Sequence, residues 1–379
     1  MIKIRLEVSP LASNNLSGVG YYTKLLAEAL YKNNDVSLEM TNFNFLNRQP
    51  SPNPNTKIIP TESHLIPLRL YAKMQSYGIA PPFDIAKKPV DLTIFTNYAC
   101  WPTVNSKHVA VVVHDLTFLH FPELMEEKNL AHLKRVVPRA LTNSDFIITV
   151  SETIKKELVK EYKIDSNKII VTTIPPDDFF KKKNNDDVFK KYDIKTKKYI
   201  YTIGTIEPRK NLPTLISAYL KLPAKIRTEY SLIIAGGMGW KSEESKQAID
   251  NAIQNGENIK YLGYIDQKMS NALHQQASLH ASASFYEGFG MPILESIAGG
   301  TPVVLSDIPV YHEVGGNISL FADPNNAQDF ANKIEAALTD KKFREDFNKN
   351  CQTHLNKFSW SKNVDSILNK ELEMLKLQA

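Results

Sequence analysis

Short apolar runs alternate with amphipathic helical stretches through most of this chain, and the alternation occurs twice, with a polar break between. Val109–Val113 (V-A-V-V-V) is apolar at every position, the pattern of a parallel strand covered by helices on both faces. The spacing predicts strands at Ile2–Val8, Val36–Met40, Asp91–Thr96, His108–Val113, Phe146–Val150 and Lys168–Thr173. Helices are expected at Gly18–Tyr31, Asn129–Leu141 and Ser151–Lys163, the last opened by a capping serine. The rhythm breaks at Pro175-Pro176-Asp177-Asp178 and the Lys/Asn/Asp-rich stretch Lys181–Lys198, which reads as a linker. It restarts with strands at Tyr199–Gly204, Leu232–Ala235, Ile259–Leu262, Leu279–Ser282, Val303–Leu305 and Leu320–Ala322. Helices near Leu212–Leu220, Ser242–Gln254, Lys268–Gln276, Pro292–Ala298 and Ala327–Leu338 separate these strands. Such alternation predicts the α/β class, as two Rossmann-like, doubly wound parallel sheets. The expected domains are residues 1–178 and 190–358, with 359–379 a terminal helical segment.

Composition narrows the function. A hydrophobic share of 42% and a charged share of 23% exclude a disordered or fibrous chain, and 379 residues suit two domains. Cys100 and Cys351 lie far apart with no C-x-x-C, which excludes a disulfide framework and a zinc-ribbon site. Lys plus Arg (46) against Asp plus Glu (41) leaves +5, a mild excess suited to phosphate-bearing ligands or an anionic membrane surface. No nucleic-acid partner is expected. Met1–Val8 lacks the apolar core of a signal peptide, and no run approaches the roughly 18 apolar residues of a membrane span, so a cytoplasmic protein is expected.

Chemistry concentrates in Ser284–Thr301, S-F-Y-E-G-F-G-M-P-I-L-E-S-I-A-G-G-T. Glu287 and Glu295 flank a Gly-Phe-Gly turn, and a proline suits a helix start, where its missing N–H costs nothing. Unpaired N–H groups and the positive end of the helix dipole there can seat a phosphate, while Gly288 and Gly290 admit close backbone approach. Taken alone the pair reads two ways: Glu295 as a dipole partner with Glu287 a solvated loop residue, or both as acceptors for sugar and ribose hydroxyls. Thr202–Leu212 (T-I-G-T-I-E-P-R-K-N-L) places Arg209 and Lys210 at the head of a helix, either a solvated turn or two cations for an anionic ligand. Ser17-Gly18-Val19-Gly20 opens the first helix without the third glycine of a dinucleotide fingerprint, Thr23 standing there instead. His114-Asp115 closes an apolar strand, so His114 either faces a ligand beyond the sheet or is a satisfied buried histidine. Gly236-Gly237 and Gly263-Tyr264-Ile265 are turn chemistry on their own. No D-x-D and no compact Asp/Glu/His cluster occurs, so no metal and no cofactor is expected.

On these motifs the chain resembles the retaining glycosyltransferases of family four, which have the GT-B fold and an E-x7-E signature. The likeness runs over nearly the whole chain and is strongest from Tyr199 to Thr301. It implies that Glu295 holds the donor ribose, that Glu287 lies beside the hydroxyls of the transferred sugar, and that Arg209 and Lys210 clamp the donor diphosphate. Thr205 stands where many members carry an arginine. Gly288, Phe289, Gly290 and Met291 complete the donor motif, and the backbone around Tyr264 and Ile265 would read the base. From the first domain the resemblance brings Gly18 and Gly20 to the donor phosphate or sugar and His114 to the transferred sugar. Asp115 would orient that imidazole or contact acceptor.

The wording E-P-R-K-N and E-G-F-G-M-P-I-L-E leans toward mannosyltransferases of bacterial surface polysaccharide, such as O-antigen and lipopolysaccharide, using GDP-mannose and a glycan or lipid-linked acceptor. The alternatives are a UDP-sugar transferase of the same fold and a non-catalytic nucleotide-sugar-binding protein. Retention would proceed without an enzymic nucleophile, the leaving phosphate taking the acceptor proton. In the family the terminal segment 359–379 crosses back onto the first domain. Leu65–Ala80 and the cations Lys134, Arg135 and Arg139 read as core-facing helices with a solvated side, or as a peripheral contact with the inner face of the cytoplasmic membrane. A glycosidase would leave Arg209 and Lys210 without a task, and a nucleotide-sugar epimerase or dehydrogenase would need the full G-x-G-x-x-G.

Overall fold

A computed structural model describes residues 1–12, 16–43, 62–63, 66–77, 79–184, 186–196 and 198–378. The chain divides into two compact units. Unit 1 comprises Met1–Leu116, Ala131–Ile174 and Ser359–Ala379, and unit 2 comprises Thr117–Leu130 and Pro175–Phe358.

Unit 1 is built on β1 (Ile2–Glu7), β2 (Val36–Asn42), β3 (Glu62–Ser63), β4 (Val90–Phe95), β5 (Ser106–Val113), β6 (Phe146–Thr149) and β7 (Ile169–Val171). These form a parallel sheet in the order β3-β2-β1-β4-β5-β6-β7. Ile4, Leu6, Leu92, Ile94 and Ala110–Val113 are wholly buried, because helices cover both faces. Unit 2 carries β8 (Lys198–Ile203), β9 (Tyr230–Ala235), β10 (Ile259–Tyr261), β11 (Leu279–Ser282), β12 (Val303–Ser306) and β13 (Leu320–Ala322), again all parallel. Its order is β10-β9-β8-β11-β12-β13. One apolar layer packs Tyr219, Leu232, Ile234 and Phe330, and another packs Tyr201, Ile233, Met269 and Leu273. The strand order reverses between β8 and β11, so the loops leaving these two strands part there and open a place for a ligand.

Three boundaries differ from the sequence expectation. The division falls at Ile174/Pro175 rather than after residue 178. Residues 117–130 belong to unit 2, where Trp240 Nε1 donates to Leu124 O at 2.9 Å and Lys241 Nζ to Glu123 O at 2.7 Å. The expected linker Lys181–Lys198 instead contains the helix Val188–Lys191, capped by Asp187 and anchored by wholly buried Val188. Just ahead of it the helix Asp178–Lys181 is capped by Asp177, so two of the aspartates that looked like linker in composition, Asp177 and Asp187, are helix caps.

The last helix, Trp360–Gln378, packs on unit 1, with Asn363 Nδ2 donating to Thr173 O at 2.7 Å and Glu371 Oε1 2.8 Å from His108 Nδ1. Within Leu65–Ala80 the structure forms the helix Leu68–Ser76, with Tyr71 buried; Leu65 and Gly78 lie outside the described residues. Lys134, Arg135 and Arg139 lie on the exposed side of the helix Glu127–Asn143, whose Leu133, Val137 and Leu141 are buried. Among the described residues no helix is long and apolar enough to cross a membrane.

Candidate active site

After β8 the chain runs through Gly204 and Thr205 into a 3-10 turn, Pro208–Lys210, and then the helix Leu212–Lys221. Asn211 joins the two in the left-handed region at φ 52°, and its buried amide donates to Ala283 O at 3.0 Å and Pro324 O at 2.7 Å. That bolts the turn after β8 to the loop leaving β11. A backbone bond from Phe285 N to Arg209 O, 2.9 Å, does the same. The two loops are therefore one rigid piece at the switch point.

On that piece Arg209, Lys210 and Glu287 meet. Arg209 Nη1 donates to Glu287 Oε2 at 2.6 Å and to Tyr286 O at 2.8 Å, while its Nη2 reaches Glu207 Oε1 at 2.6 Å. Lys210 Nζ donates to Glu287 Oε1 at 2.5 Å, and Ser284 Oγ to the same oxygen at 2.8 Å. Tyr311 OH stands 3.1 Å from Ser284 Oγ. Burial by itself would raise the Glu287 carboxyl, but the charges of Arg209 and Lys210 outweigh it and bring the pKa down to about 2. Glu287 is thus a fixed carboxylate, 6% exposed, holding two cations at the edge of a recess lined by Gly204, Thr205, Lys210, Ser282 and Ser284.

Glu295 stands apart from this cluster. It lies in the helix Met291–Ala298, which starts from Gly290 at φ +91°. A Cβ on Gly290 would come within 2.9 Å of Ile293 Cδ1 and Tyr311 Cε1, so the turn admits only glycine. Glu295 Oε2 lies 3.3 Å from His274 Nε2, and the carboxyl keeps 21% of its side chain exposed. Burial first, and the charge of Asp177 second, push its pKa up to about 8. Burial likewise lowers His274 to about 3.

The remaining donor-motif residues are distributed by burial. Gly288 and Phe289 are buried, the Phe289 ring packing edge-on at 6.1 Å against Phe358, so Phe289 offers a ligand its backbone and not its ring. Met291 is half-buried at the helix start. Tyr264 is exposed and Ile265 packs on the core beside it. The adjoining loop is tied to the one after β9 by Gly236 N to Gly263 O at 2.8 Å. Among the described residues no group of three His, Cys, Asp or Glu side chains could hold a metal ion.

In unit 1, Gly18 and Gly20 lie in the first turn of the helix Gly18–Lys32, where Ser17 Oγ caps Gly20 N at 3.3 Å. A Cβ at Gly20 would sit 3.1 Å from Pro10 O, so close packing is itself a reason for that glycine. His114 is buried beside the rings of Tyr22 and Tyr98, and its Nε2 donates to Thr96 O at 2.8 Å. Burial lowers its pKa, which leaves a neutral ring with Nδ1 as an acceptor. Asp115 N donates to Tyr98 OH at 3.1 Å.

Sequence reasoning missed Glu207, Ser284, Tyr311 and His274. Glu207 and Ser284 stand inside the motifs that were read, Glu207 two residues from Arg209, but Tyr311 and His274 reach the site only through tertiary contact, and no spacing announces them.

Residues 184–354 match the family described as Glycosyl transferases group 1. Over 259 residues the chain is 30% identical to O-antigen chain mannosyltransferase B of Escherichia coli, covering 68% of each protein. Over 234 residues it is 26% identical to O-antigen chain mannosyltransferase RfbU of Salmonella typhimurium, covering 60% of each, less than two thirds of that relative. Among solved structures, HepE of Anabaena in complex with UDP and glucose superposes with a TM-score of 0.71 at 17% identity, over 97% of this chain and 99% of its own. WaaG, a glycosyltransferase involved in lipopolysaccharide biosynthesis, gives 0.65 at 13% identity, over 94% and 96%. At these identities the structural likenesses speak for the fold.

Proposed function

The chain belongs to the group 1 glycosyl transferases and has their GT-B fold, and we propose that it transfers mannose, with retention, from GDP-mannose to a glycan or lipid-linked acceptor. The observation that carries the transferase reading is the junction of Arg209, Lys210 and Glu287 on one rigid piece at the switch point of unit 2. The choice of mannose rests on the O-antigen mannosyltransferases among its relatives.

In this reading the donor diphosphate takes over Lys210 and the outer edge of Arg209, releasing part of their hold on Glu287. Cations placed there stabilise charge as it grows on the leaving phosphate, the point at which binding energy accelerates reaction. Glu287, freed in part, accepts hydroxyl hydrogens of the transferred sugar, and Glu295 meets the ribose. No side chain need act as nucleophile: the leaving phosphate oxygen takes the acceptor proton. Since Arg209 and Lys210 supply the positive charge, the reaction proceeds without a metal. His114 offers its Nδ1 to a sugar hydroxyl. The exposed Tyr77 and Ile79 that follow the helix Leu68–Ser76 serve contact with an anionic membrane.

The test is a donor panel of GDP-mannose, UDP-glucose, UDP-GlcNAc and UDP-galactose, assayed by nucleotide release with a lipid-linked acceptor, with and without EDTA. Release from GDP-mannose that EDTA leaves intact is expected. Release from a UDP-sugar alone moves the reading to a UDP-sugar transferase, binding without turnover makes the chain a nucleotide-sugar-binding protein, and loss of turnover in EDTA overturns metal independence.

A further inference from the structure

We propose that His274 is a positioning residue that holds Glu295 as a neutral, protonated carboxyl group, so that the donor ribose meets a carboxylic acid and not a carboxylate. The inference rests on the donor reading above and concerns how that one contact is made.

The argument begins with one hydrogen. His274, in the helix Gln267–Gln276, is wholly buried, and its Nδ1 lies 2.7 Å from Ser296 Oγ. Ser296 has a single hydroxyl hydrogen and donates it to Pro292 O at 2.9 Å. The hydrogen between His274 and Ser296 must therefore sit on Nδ1. In a neutral ring this leaves Nε2 as a bare lone pair, and Nε2 has no hydrogen-bond partner among the described residues. Glu295 Oε2 stands 3.3 Å from it.

A carboxylate in that place would set two lone pairs against each other. A proton on Oε2 turns the same contact into a donor facing an acceptor, for which a small rotation of the carboxyl suffices. An imidazolium would also resolve the clash, but the surroundings oppose it. The ring is enclosed by Phe180 at 5.7 Å, Tyr201 at 5.0 Å and His280 at 5.7 Å, centroid to centroid. Of the titratable groups on the packed elements, β8 presents Tyr199 and Tyr201 and β11 presents His280, none of them an anion at neutral pH. The anion that reaches this place among the described residues is Asp177, ahead of the helix Asp178–Lys181, and its charge acts on Glu295, raising it. Burial keeps His274 neutral and Glu295 protonated at pH 7, in agreement with the geometry. Ser296 thus sets the tautomer of His274, His274 sets the protonation of Glu295, and Glu295 Oε1 is left as a carbonyl-type acceptor for a ribose hydroxyl.

The experiment is calorimetric binding of GDP and of UDP to the full chain between about pH 7 and about pH 9, for wild type, Glu295→Gln, Glu295→Ala and Ser296→Ala. The competent form of Glu295 is the protonated one, so wild-type affinity holds below its pKa of about 8 and falls as pH rises through it. An amide at position 295 can donate to His274 Nε2 and keep its carbonyl for the ribose, but it cannot ionise. Glu295→Gln should therefore bind at least about threefold more tightly than Glu295→Ala near pH 7, the scale of one neutral hydrogen bond, and should lose the alkaline fall that wild type shows. Titration of the nucleotide is common to all four proteins, so the difference belongs to residue 295. Ser296→Ala, which leaves the carboxyl in place and frees the ring to carry its hydrogen on Nε2, where it stabilises the Glu295 carboxylate, should shift the alkaline fall to lower pH. The inference is overturned if Glu295→Gln binds no better than Glu295→Ala, or if wild type binds more tightly above about pH 8. Failure of wild type to bind either nucleotide overturns the donor reading itself and takes this inference with it.

Discussion

Arg209 and Lys210 are neighbours in sequence but stand in different electrostatic positions. Arg209 is locked by Glu207, the Tyr286 carbonyl and Glu287, and keeps 16% of its side chain exposed. Lys210, 24% exposed, grips Glu287 from the open side. An incoming diphosphate would displace Lys210 more readily. Lys210→Ala should therefore cut kcat/KM by ~10²-fold or more, the scale of one lost preorganised electrostatic contact, with thermal stability little changed because the lysine is not a core strut. An unchanged kcat/KM would remove Lys210 from the clamp. Glu287→Gln should do the opposite to binding: relieved of the carboxylate, both cations turn to the ligand, so calorimetric affinity for GDP rises while turnover falls. A parallel loss of both would mean that Glu287 only supports the fold. The letters Arg209, Lys210 and Glu287 were legible in sequence as charged groups at helix heads. Their junction was not, because Lys210 and Glu287 are 77 residues apart and meet only through the pairing of β8 with β11. Glu207, only two residues from its partner Arg209, was illegible for a different reason: a carboxylate in a turn reads as solvated until burial to 2% exposure shows otherwise.

At the scale of elements, continuous apolar runs made the long parallel strands readable, and Leu279–Ser282 and Leu320–Ala322 have the expected bounds. The two-residue strand Glu62–Ser63 carries no apolar signal and was missed. The helix Lys341–Leu355 was missed because so little of it faces the core: only Phe347, His354 and Leu355 are buried in a run whose other residues, apart from Phe343, Cys351 and Thr353, are Lys, Arg, Asp, Glu, Asn and Gln. Its apolar spacing is too sparse to register as a periodic face. The glycines after the strands were read as ordinary turns, and the structure gives one of them a stricter task. Gly236 has φ +128°, and a Cβ there would lie 1.8 Å from Gly204 O. The ends of β8 and β9 are thus in backbone contact, which fixes where Thr205 and Lys210 begin. Gly236→Ala must push these loops apart. It should cost ~1–3 kcal/mol in thermal unfolding, the range for overpacking in a tight site, and raise the donor KM more than it lowers kcat. A variant with wild-type melting and wild-type KM would show that the two strand ends tolerate separation.

At the scale of the molecule, the two rhythms of the sequence correspond to two sheets, but the units are not two consecutive pieces of chain. Unit 1 is closed by Ser359–Ala379 and unit 2 includes Thr117–Leu130. Chain crossings of this kind carry little local signal, since a returning helix has the same amphipathic pattern as any other. The last helix is nonetheless integral to unit 1. Val364 and Ile367 are buried to 1% and 0%, Leu368 to 7%, and Trp360 lies against Tyr22 with ring centroids 5.9 Å apart. Glu371, wholly buried, answers His108 on β5. Removing three such aliphatic side chains forfeits about 1.5–3 kcal/mol each, a sum comparable to the ~5–15 kcal/mol that keeps a whole domain folded. It also strands His108 in an apolar site without its carboxyl partner. A chain ending at Phe358 should therefore lose unit 1 first. Limited proteolysis should cut it within 1–116 and 131–174 while a resistant core remains within 175–358, and calorimetry should show one transition lowered with the other retained. If both transitions survive at wild-type temperatures, the helix Trp360–Gln378 only rests on unit 1 without holding it.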